Sequence, residues 1–386
     1  MKLVPLVKVA RVVSGGTPKT AVAEYWDGDI PWATPKDLSS LRAVEIHSTP
    51  RGLTPAGLNA SSAEVLPANS VLFSSRAPIG LLAINSVPMA TNQGFKSFVP
   101  DPTQLEARYL YRWLEFNRKW LQSLGVGATF KEVSKATVSR IELPLPSLAE
   151  QRRIAAILDK ADELRGKRRQ AIAHLNTLTQ SIFHSMFGTT TWPTKNLGDL
   201  AMFRYGSSNK SAGAGEECLR IPNVVGGQID WSNLKLVPVT NDELDRLRLL
   251  DNDLLFVRSN GNPDYVGRAA VFSSRDESNV IYASYLIRAR FHDFNALSPR
   301  FAHAYLESTS GRDQLRSGAK TSAGQYNINT QALGALKIPV PPLELQQTFA
   351  NRVAAVERLK ETHRKHLAEL DALFASLQSR AFKGEL

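Results

Sequence analysis

PLPSLAEQRRI, running from Pro144 to Ile154, returns as PVPPLELQQTF from Pro339 to Phe349. The two stretches belong to a gapless repeat in which residues 141–187 match residues 336–382 at a constant shift of 195. Pro144, Pro146, Leu148 and Gln151 recur as Pro339, Pro341, Leu343 and Gln346. Further along, Leu164, Leu175, Leu178 and Phe187 recur as Leu359, Leu370, Leu373 and Phe382. Self-similarity on this scale decides architecture before any local reading does.

The prolines mark where extended chain gives way to helix. Beyond them Ile154, Leu158, Ala161, Leu164, Ile172, Leu175, Leu178, Ile182 and Met186 follow steps of three and four apart from one of eight, as do Phe349, Val353, Val356, Leu359, Leu367, Leu370, Leu373, Leu377 and Ala381. Such steps lay one apolar stripe along a helix, and a stripe nearly 40 residues long exceeds what a compact domain buries alone. At about 1.5 Å per residue each helix spans roughly 60 Å. Two such helices are expected to bury each other. A two-fold relation between the halves makes them antiparallel and returns Leu386 towards Met1; a plain head-to-tail tandem is the alternative.

The sequence upstream of each helix is built from short mixed segments rich in Pro, Gly, Ser and Asn. Val71-Leu72-Phe73 before Ser74-Ser75-Arg76 reads as an apolar strand ending in a polar turn, and Leu254-Leu255-Phe256 before Val257-Arg258-Ser259-Asn260-Gly261 repeats it. Ile79-Gly80 corresponds to Val266-Gly267, Ile30-Pro31 to Ile221-Pro222, and Gly127-Ala128 to Gly318-Ala319; with the strand pair and the helical repeat included, the shifts vary from 183 to 195. Variable shifts mean loops of different length. Amphipathic runs from Tyr109 to Leu121 and from Phe301 to Leu315 each predict one further helix. The expected fold is α+β: two pseudo-two-fold related globular α/β domains, 1–143 and 189–338, separated by two long antiparallel coiled-coil helices, 144–188 and 339–386.

A length of 386 residues suits two or three units. The net charge is +11, with 23 Lys and Arg against 15 Asp and Glu before Gly188 and 24 against 21 after it. Both halves are cationic, which favours a polyanionic partner such as nucleic acid. Cys218 is the only cysteine, so an intrachain disulfide is excluded and a reducing compartment is expected. Met1–Val13 is broken by Lys8 and Arg11, and no window approaches a membrane span. A cytoplasmic protein without a membrane partner follows as the expectation.

The run from Pro144 to Ile154, its echo from Pro339 to Phe349 and the closing Phe382-Lys383-Gly384-Glu385-Leu386 together resemble the specificity subunit of type I restriction-modification systems, over the full length. Gly127-Ala128-Thr129 meets that family's pattern near the end of the first recognition domain; Gly318-Ala319-Lys320-Thr321 departs from it in the second. The resemblance implies two target-recognition domains alternating with two helical regions. It implies a chain that binds double-stranded DNA and performs no chemistry, with two copies of a modification subunit that transfers a methyl group from S-adenosylmethionine to adenine. It leaves open two restriction subunits, which use ATP and Mg and which translocate and cut. No cofactor is expected on the chain itself.

The residues argue compatibly. A two-fold scaffold reads half-sites about 10 bp apart centre to centre, which leaves roughly six base pairs between half-sites of three or four. Domains with different loops read different half-sites, so the target is asymmetric and bipartite. Base edges are read by side chains such as Arg on guanine and Asn or Gln on adenine. Candidates in the first domain are Thr17, Lys19, Thr34, Lys36, Ser75, Arg76, Asn92, Gln93, Lys96 and Lys131. In the second they are Asn209, Lys210, Asn223, Arg258, Asn260, Asn262, Tyr265, Lys320, Gln325 and Tyr326. A solvated turn is the competing reading of each, and phosphate contacts are expected to outnumber base contacts. Lys167, Arg168 and Arg169 sit mid-helix, as spacer-phosphate or partner contacts or simply a solvated face. Trp26 and Trp32 suit a domain core better than a stacking site.

The rival enzymatic reading is a self-contained adenine methyltransferase with fused recognition domains. Asn262-Pro263-Asp264-Tyr265 resembles the Asn-Pro-Pro-Tyr motif of such enzymes, but its third residue is wrong and no glycine-rich turn for the methyl donor accompanies it. Gly318–Thr321 lacks the Gly-Lys pair of a phosphate loop. His363 and His366 are three apart without a third ligand nearby, so no metal is expected. A coiled-coil scaffold that binds only protein leaves two dissimilar basic domains without a purpose.

Overall fold

Both long helices form where the repeat places them, at Leu148–Phe187 and Leu343–Lys383. The computed structural model describes residues 1–127, 131–322 and 324–386, with nothing stated for the side chain of Ser322. The chain divides into two compact units, residues 1–169 with 365–386 (unit 1) and residues 170–364 (unit 2). Each unit therefore contains part of both long helices.

Unit 1 is built on a five-stranded sheet in the order Ala10–Ser14, Lys96–Pro100, Val71–Phe73, Leu82–Asn85, Glu45–Ile46. All its pairings are antiparallel except the last, which is parallel. Unit 2 repeats the first four positions as Ala201–Tyr205, Leu286–Phe291, Leu254–Val257, Ala269–Val271, all antiparallel. A second sheet in each unit carries one parallel pair, Trp26–Ala33 with Ala90–Thr91 in unit 1 and Glu216–Leu219 with Val280–Tyr282 in unit 2. The α+β class read from the sequence is the class observed.

In unit 1 the two helix segments run antiparallel. Arg165 Nε donates to Asp371 Oδ1 at 2.6 Å and Arg153 Nη2 to the Leu386 carbonyl at 2.6 Å. The end of the chain does come back to its start, since a Cβ on Gly384 would lie 3.1 Å from Met1 Cε. In unit 2 Phe183 and Phe187, near the end of one helix, pack on Phe349 near the start of the other.

Gln151 and Gln346 explain why the repeat is so strict at its first turn. Both are fully buried. Gln151 Nε2 donates to the carbonyls of Gln104 (2.9 Å) and Pro146 (3.0 Å), while its Oε1 accepts from the backbone N–H of Glu106 (2.8 Å). Gln346 does the same with Ala296 (3.3 Å), Pro341 (2.8 Å) and the N–H of Ser298 (2.7 Å). Glu106 and Ser298 are the N-cap residues of Ala107–Phe116 and Pro299–Glu307. One side chain thus ties the start of a domain helix, otherwise left with orphan N–H groups, to the long helix.

Three expectations are corrected. The apolar stripe is not buried throughout, because Leu164, Leu178, Leu359 and Leu373 are exposed while Phe183, Phe374, Lys360 and Gln378 are buried instead. At the 169/365 end of unit 1's helix pair the ion pairs of Arg165 and Arg169 with Asp371 take over the contact that the leucine spacing predicted. The single domain helices are each two. Ala107–Phe116 is followed by Arg118–Ser123, and Pro299–Glu307 by Thr309–Gly318, with the Ser308 hydroxyl capping the new helix at Gly311 N. Finally, Ile30-Pro31 does not match Ile221-Pro222. Pro31 lies in a strand and Pro222 in a helix, and the counterpart of the Arg220 cap is Thr34, each donating its backbone N–H to the side chain three residues on, Asn223 Oδ1 at 3.0 Å and Asp37 Oδ2 at 2.7 Å.

Candidate nucleic-acid interface

One turn organises the predicted residues of each unit. After Val71–Phe73 the chain turns back at Gly80, whose φ of +91° suits glycine, and after Leu254–Val257 it turns back at Gly267, φ +73°. A Cβ would meet Arg118 Cγ at 2.9 Å at the first site and Leu315 Cδ2 at 2.8 Å at the second. The residues leaving these strands then bond a second loop, with Ser75 N to Gly94 O at 2.8 Å in unit 1 and Arg258 N to Tyr285 O at 2.9 Å in unit 2. A third loop joins through Gly16 N to Thr91 O (2.9 Å) and Ser207 N to Tyr282 O (2.8 Å). Both units therefore present the same backbone frame with different side chains on it.

In unit 1 this frame gathers most of the candidates. The Thr17 hydroxyl donates to Gln93 Oε1. Asn92 Oδ1 accepts from Gly94 N at 2.9 Å and so shapes the turn that carries exposed Gln93. Arg76 Nε and Nη2 donate to Glu132 Oε2 at 3.1 and 2.8 Å, and Lys96 Nζ reaches Glu132 Oε1 at 3.4 Å. The Arg76 guanidinium, helped by Lys96, holds the Glu132 carboxyl below the usual carboxylate range against the opposing effect of burial. Lys19, Lys36 and Lys131 are exposed, and Thr34 is the cap of the short helix on which Lys36 stands. Ser75 and Lys96 are buried, Ser75 with its hydroxyl on the Gly94 carbonyl at 3.2 Å. Of the Gly-Ala-Thr motif, Ala128 and Thr129 lie outside the described residues.

In unit 2 the strands Ser259–Asn260, Gln325–Asn327 and Lys320–Ser322 form one small sheet, which brings Asn260, Tyr326, Gln325 and Lys320 together. Arg258 donates from Nη1 to Ser284 O at 3.3 Å, and its guanidinium lies 4.8 Å from the centre of the Tyr205 ring. Asn209 donates to Pro238 O at 3.0 Å beside exposed Lys210, at a cleft also lined by Arg220, Lys235 and Tyr285. Asn223 is withdrawn from that surface. It is buried, donates to the carbonyls of Asp230 and Ser232 at 2.8 and 2.9 Å, and accepts from Arg220 N at 3.0 Å.

Asn262 caps the turn Pro263–Tyr265 by accepting from Asp264 N at 2.9 Å, and Asp264 pairs with Arg316 at 3.0 Å. The residues resembling a methyltransferase motif are thus an exposed capped turn. Trp26 and Trp32 are core residues, edge to face at 5.0 Å, with Trp32 Nε1 bonded to Gly16 O at 3.0 Å. Burial pushes the Cys218 thiol up to about 11, so it offers no thiolate near neutral pH. Of the mid-helix cations, Lys167 pairs with Glu163 and Arg169 with Asp371. No cluster of three metal-ligating side chains occurs among the described residues, and none of their helices is long and apolar enough to cross a membrane.

Sequence reasoning missed Tyr285 and Tyr205, 60% and 38% exposed, and Glu132. The repeat itself carried the signal for Tyr285. Once the bond from Ser75 to Gly94 is matched to that from Arg258 to Tyr285, an exposed aromatic stands where unit 1 has glycine.

Two mixed units stand on one backbone plan, each pairing a basic, amide-rich turn with part of both long helices. The chain belongs to the type I restriction modification DNA specificity domain family, which matches residues 1–174 and 191–372. It is 34% identical over 181 residues to the type I restriction enzyme MjaIX specificity subunit of Methanocaldococcus jannaschii, covering 46% of this chain and 42% of that one. It is 29% identical over 297 residues to the EcoKI specificity subunit of Escherichia coli, covering 70% and 63%. The chain thus spans less than two thirds of these relatives' length. The fold is shared with the S subunit of a type I restriction-modification system from M. genitalium, at a TM-score of 0.59 and 14% identity over 99% of this chain and 96% of that one. A second structure, described in terms of complex assembly and conformational transition of the type I R-M system, matches at a TM-score of 0.63 and 18% identity over 100% and 98%.

Proposed function

We propose that this chain is the DNA-specificity subunit of a type I restriction-modification complex. It recognises an asymmetric, bipartite double-stranded target, one half-site per unit, and directs partner subunits without performing chemistry itself. The observation that carries this reading is the repeated backbone frame with unlike side chains: Gln93, Arg76 and Lys131 on one, Arg258, Tyr285, Asn260 and Lys320 on the other. A frame shared by two readers gives both the same approach to a groove, and unlike side chains give them different base edges to bond. The domain division 1–143, 144–188, 189–338 and 339–386 belongs to the same reading.

The partners it calls for are two adenine-modifying subunits that bind S-adenosylmethionine, with up to two restriction subunits that use ATP and Mg. The capped turn at Asn262–Tyr265 lends no support to a methyltransferase within this chain. The test is to map methylated adenines in cells carrying the chain with its modification partner. Two unlike half-sites separated by a fixed gap of about six base pairs are expected. A single uninterrupted methylated word, or methylation by the purified chain alone, overturns the proposal.

A further inference from the structure

Resting on that reading, we propose that Glu132 is a positioning residue that locks Arg76 to read a guanine edge in the half-site of unit 1.

The geometry is a buttressed fork. Glu132 takes Arg76 Nε and Nη2 on one carboxylate oxygen and Lys96 Nζ on the other. Nη1 of Arg76 makes no hydrogen bond among the described residues, and the side chain is 45% exposed. The Nη1–Nη2 edge is therefore held in place with donors to spare. Glu132 is itself fixed by its backbone. It exchanges two hydrogen bonds of 3.0 Å with Val126, and the flanking Val133 N and Lys131 O bond Ser75 O and Ala77 N at 2.8 and 3.2 Å. A side chain anchored on both strands of a bridge loses little freedom when it binds, which is what specific readout requires.

Charge decides which acceptor this edge suits. A phosphate docking on Arg76 would bring its own negative charge to within a few ångströms of the Glu132 carboxylate. An arginine meant for phosphate gains nothing from such a neighbour. The O6 and N7 acceptors of guanine are neutral, match the fork in pairs, and tolerate the carboxylate behind it. Matching Ser75 to Arg258 puts Ser259, paired with Asn327, where unit 1 has Arg76 paired with Glu132, so unit 2 carries no such buttress at the corresponding place.

The experiment uses the full chain with its modification partner and competes the mapped target against variants changed one base pair at a time. Glu132→Gln and Arg76→Lys are each expected to lose about 10–100-fold in discrimination at one and the same G·C pair of a single half-site, with the other half-site unaffected. The salt slope of binding by Glu132→Gln is expected to match wild type, because no phosphate contact is made or lost. Glu132→Asp, which keeps the charge but shortens the reach, serves if the glutamine variant fails to fold, and the same pair-specific loss is expected of it.

An unchanged profile, a uniform weakening at every base pair, a slope steeper by about one, or a half-site without a G·C pair overturns the inference. Wild type that binds the gapped target while the variants keep its profile sinks this inference alone. Wild type without sequence preference sinks the DNA-specificity reading and this inference with it.

Discussion

Units 1 and 2 both seat a domain helix on a long helix through aromatic rings, Tyr109 and Phe116 on Phe382 at 5.7 and 5.3 Å in unit 1, but the chemistry beside those rings differs. In unit 1 it is ionic. Arg112, 2% exposed, meets Asp159 at 2.8 Å, Glu115 at 2.8 Å and Asp162 at 3.1 Å. Burial disfavours its charge, yet the surrounding carboxylates outweigh that and hold the guanidinium above its ordinary value. In unit 2 the seat is aromatic, with Phe183, Phe187, Phe301 and Phe349 packed at centroid distances of 4.8 to 6.3 Å. Between these unlike seats the glutamine latch is repeated bond for bond. The difference teaches that contacts which satisfy backbone groups are fixed by the fold, whereas contacts that fill the space beside them are free to change chemistry.

The aromatic seat is the most costly to break. Phe301→Ala removes the ring at the centre of the cluster and is expected to destabilise unit 2 by about 3–5 kcal/mol, read as a fall in urea midpoint with little dependence on salt. Arg112→Met should cost unit 1 about 3 kcal/mol, the low end for breaking a buried ion pair, because its carboxylate partners remain partly hydrated. Here added salt is expected to recover part of the loss by screening the three carboxylates left facing one another. Equal salt dependence in the two variants would show that the two seats do not differ in kind.

The latch sharpens the comparison by symmetry. Gln151→Leu and Gln346→Leu each strand a domain-helix N–H and two carbonyls, and each is expected to cost roughly 1–3 kcal/mol. The two values should agree more closely with each other than the Phe301 and Arg112 variants do, since the bonds lost are the same. A large disparity between them, measured by chemical unfolding, would mean that the repeated geometry does not carry repeated energetics.

How much of this was legible beforehand follows from the same distinction. Gln151 and Gln346 stand out in the sequence because a backbone-satisfying role tolerates no substitute, and the leucine spacing gave the length and position of both helices. The leucines did not reveal that Leu164 and Leu373 would be exposed, because a three-four spacing marks a helical face without saying what covers it. Ser75 and Asn223 looked like readers because polar turn residues and helix caps share one composition. The Arg76–Glu132 pair was illegible for a different reason. Its members lie 56 residues apart, and only the bridge between two loops brings them together.

That bridge supplies the smallest effect and the one most specific to unit 1. Glu132 has a folded-state pKa below its ordinary value of 4.5, set chiefly by the bond from Arg76. Between the two values the unfolded chain binds more protons than the folded one, so stability rises with pH across that window. The contribution is fully present above about 4.5 and is lost as pH falls through the depressed value. Glu132→Gln is therefore expected to flatten the acid limb of the stability profile of unit 1 slightly, with little change near neutrality beyond the loss of a partly exposed ion pair. Arg258→Gln in unit 2 should leave that limb unchanged, because Arg258 bonds a carbonyl and faces a tyrosine ring, with no carboxylate among its partners in the described residues. Acid titrations in which both variants flatten the limb alike would show that the two frames differ less in electrostatics than their side chains imply.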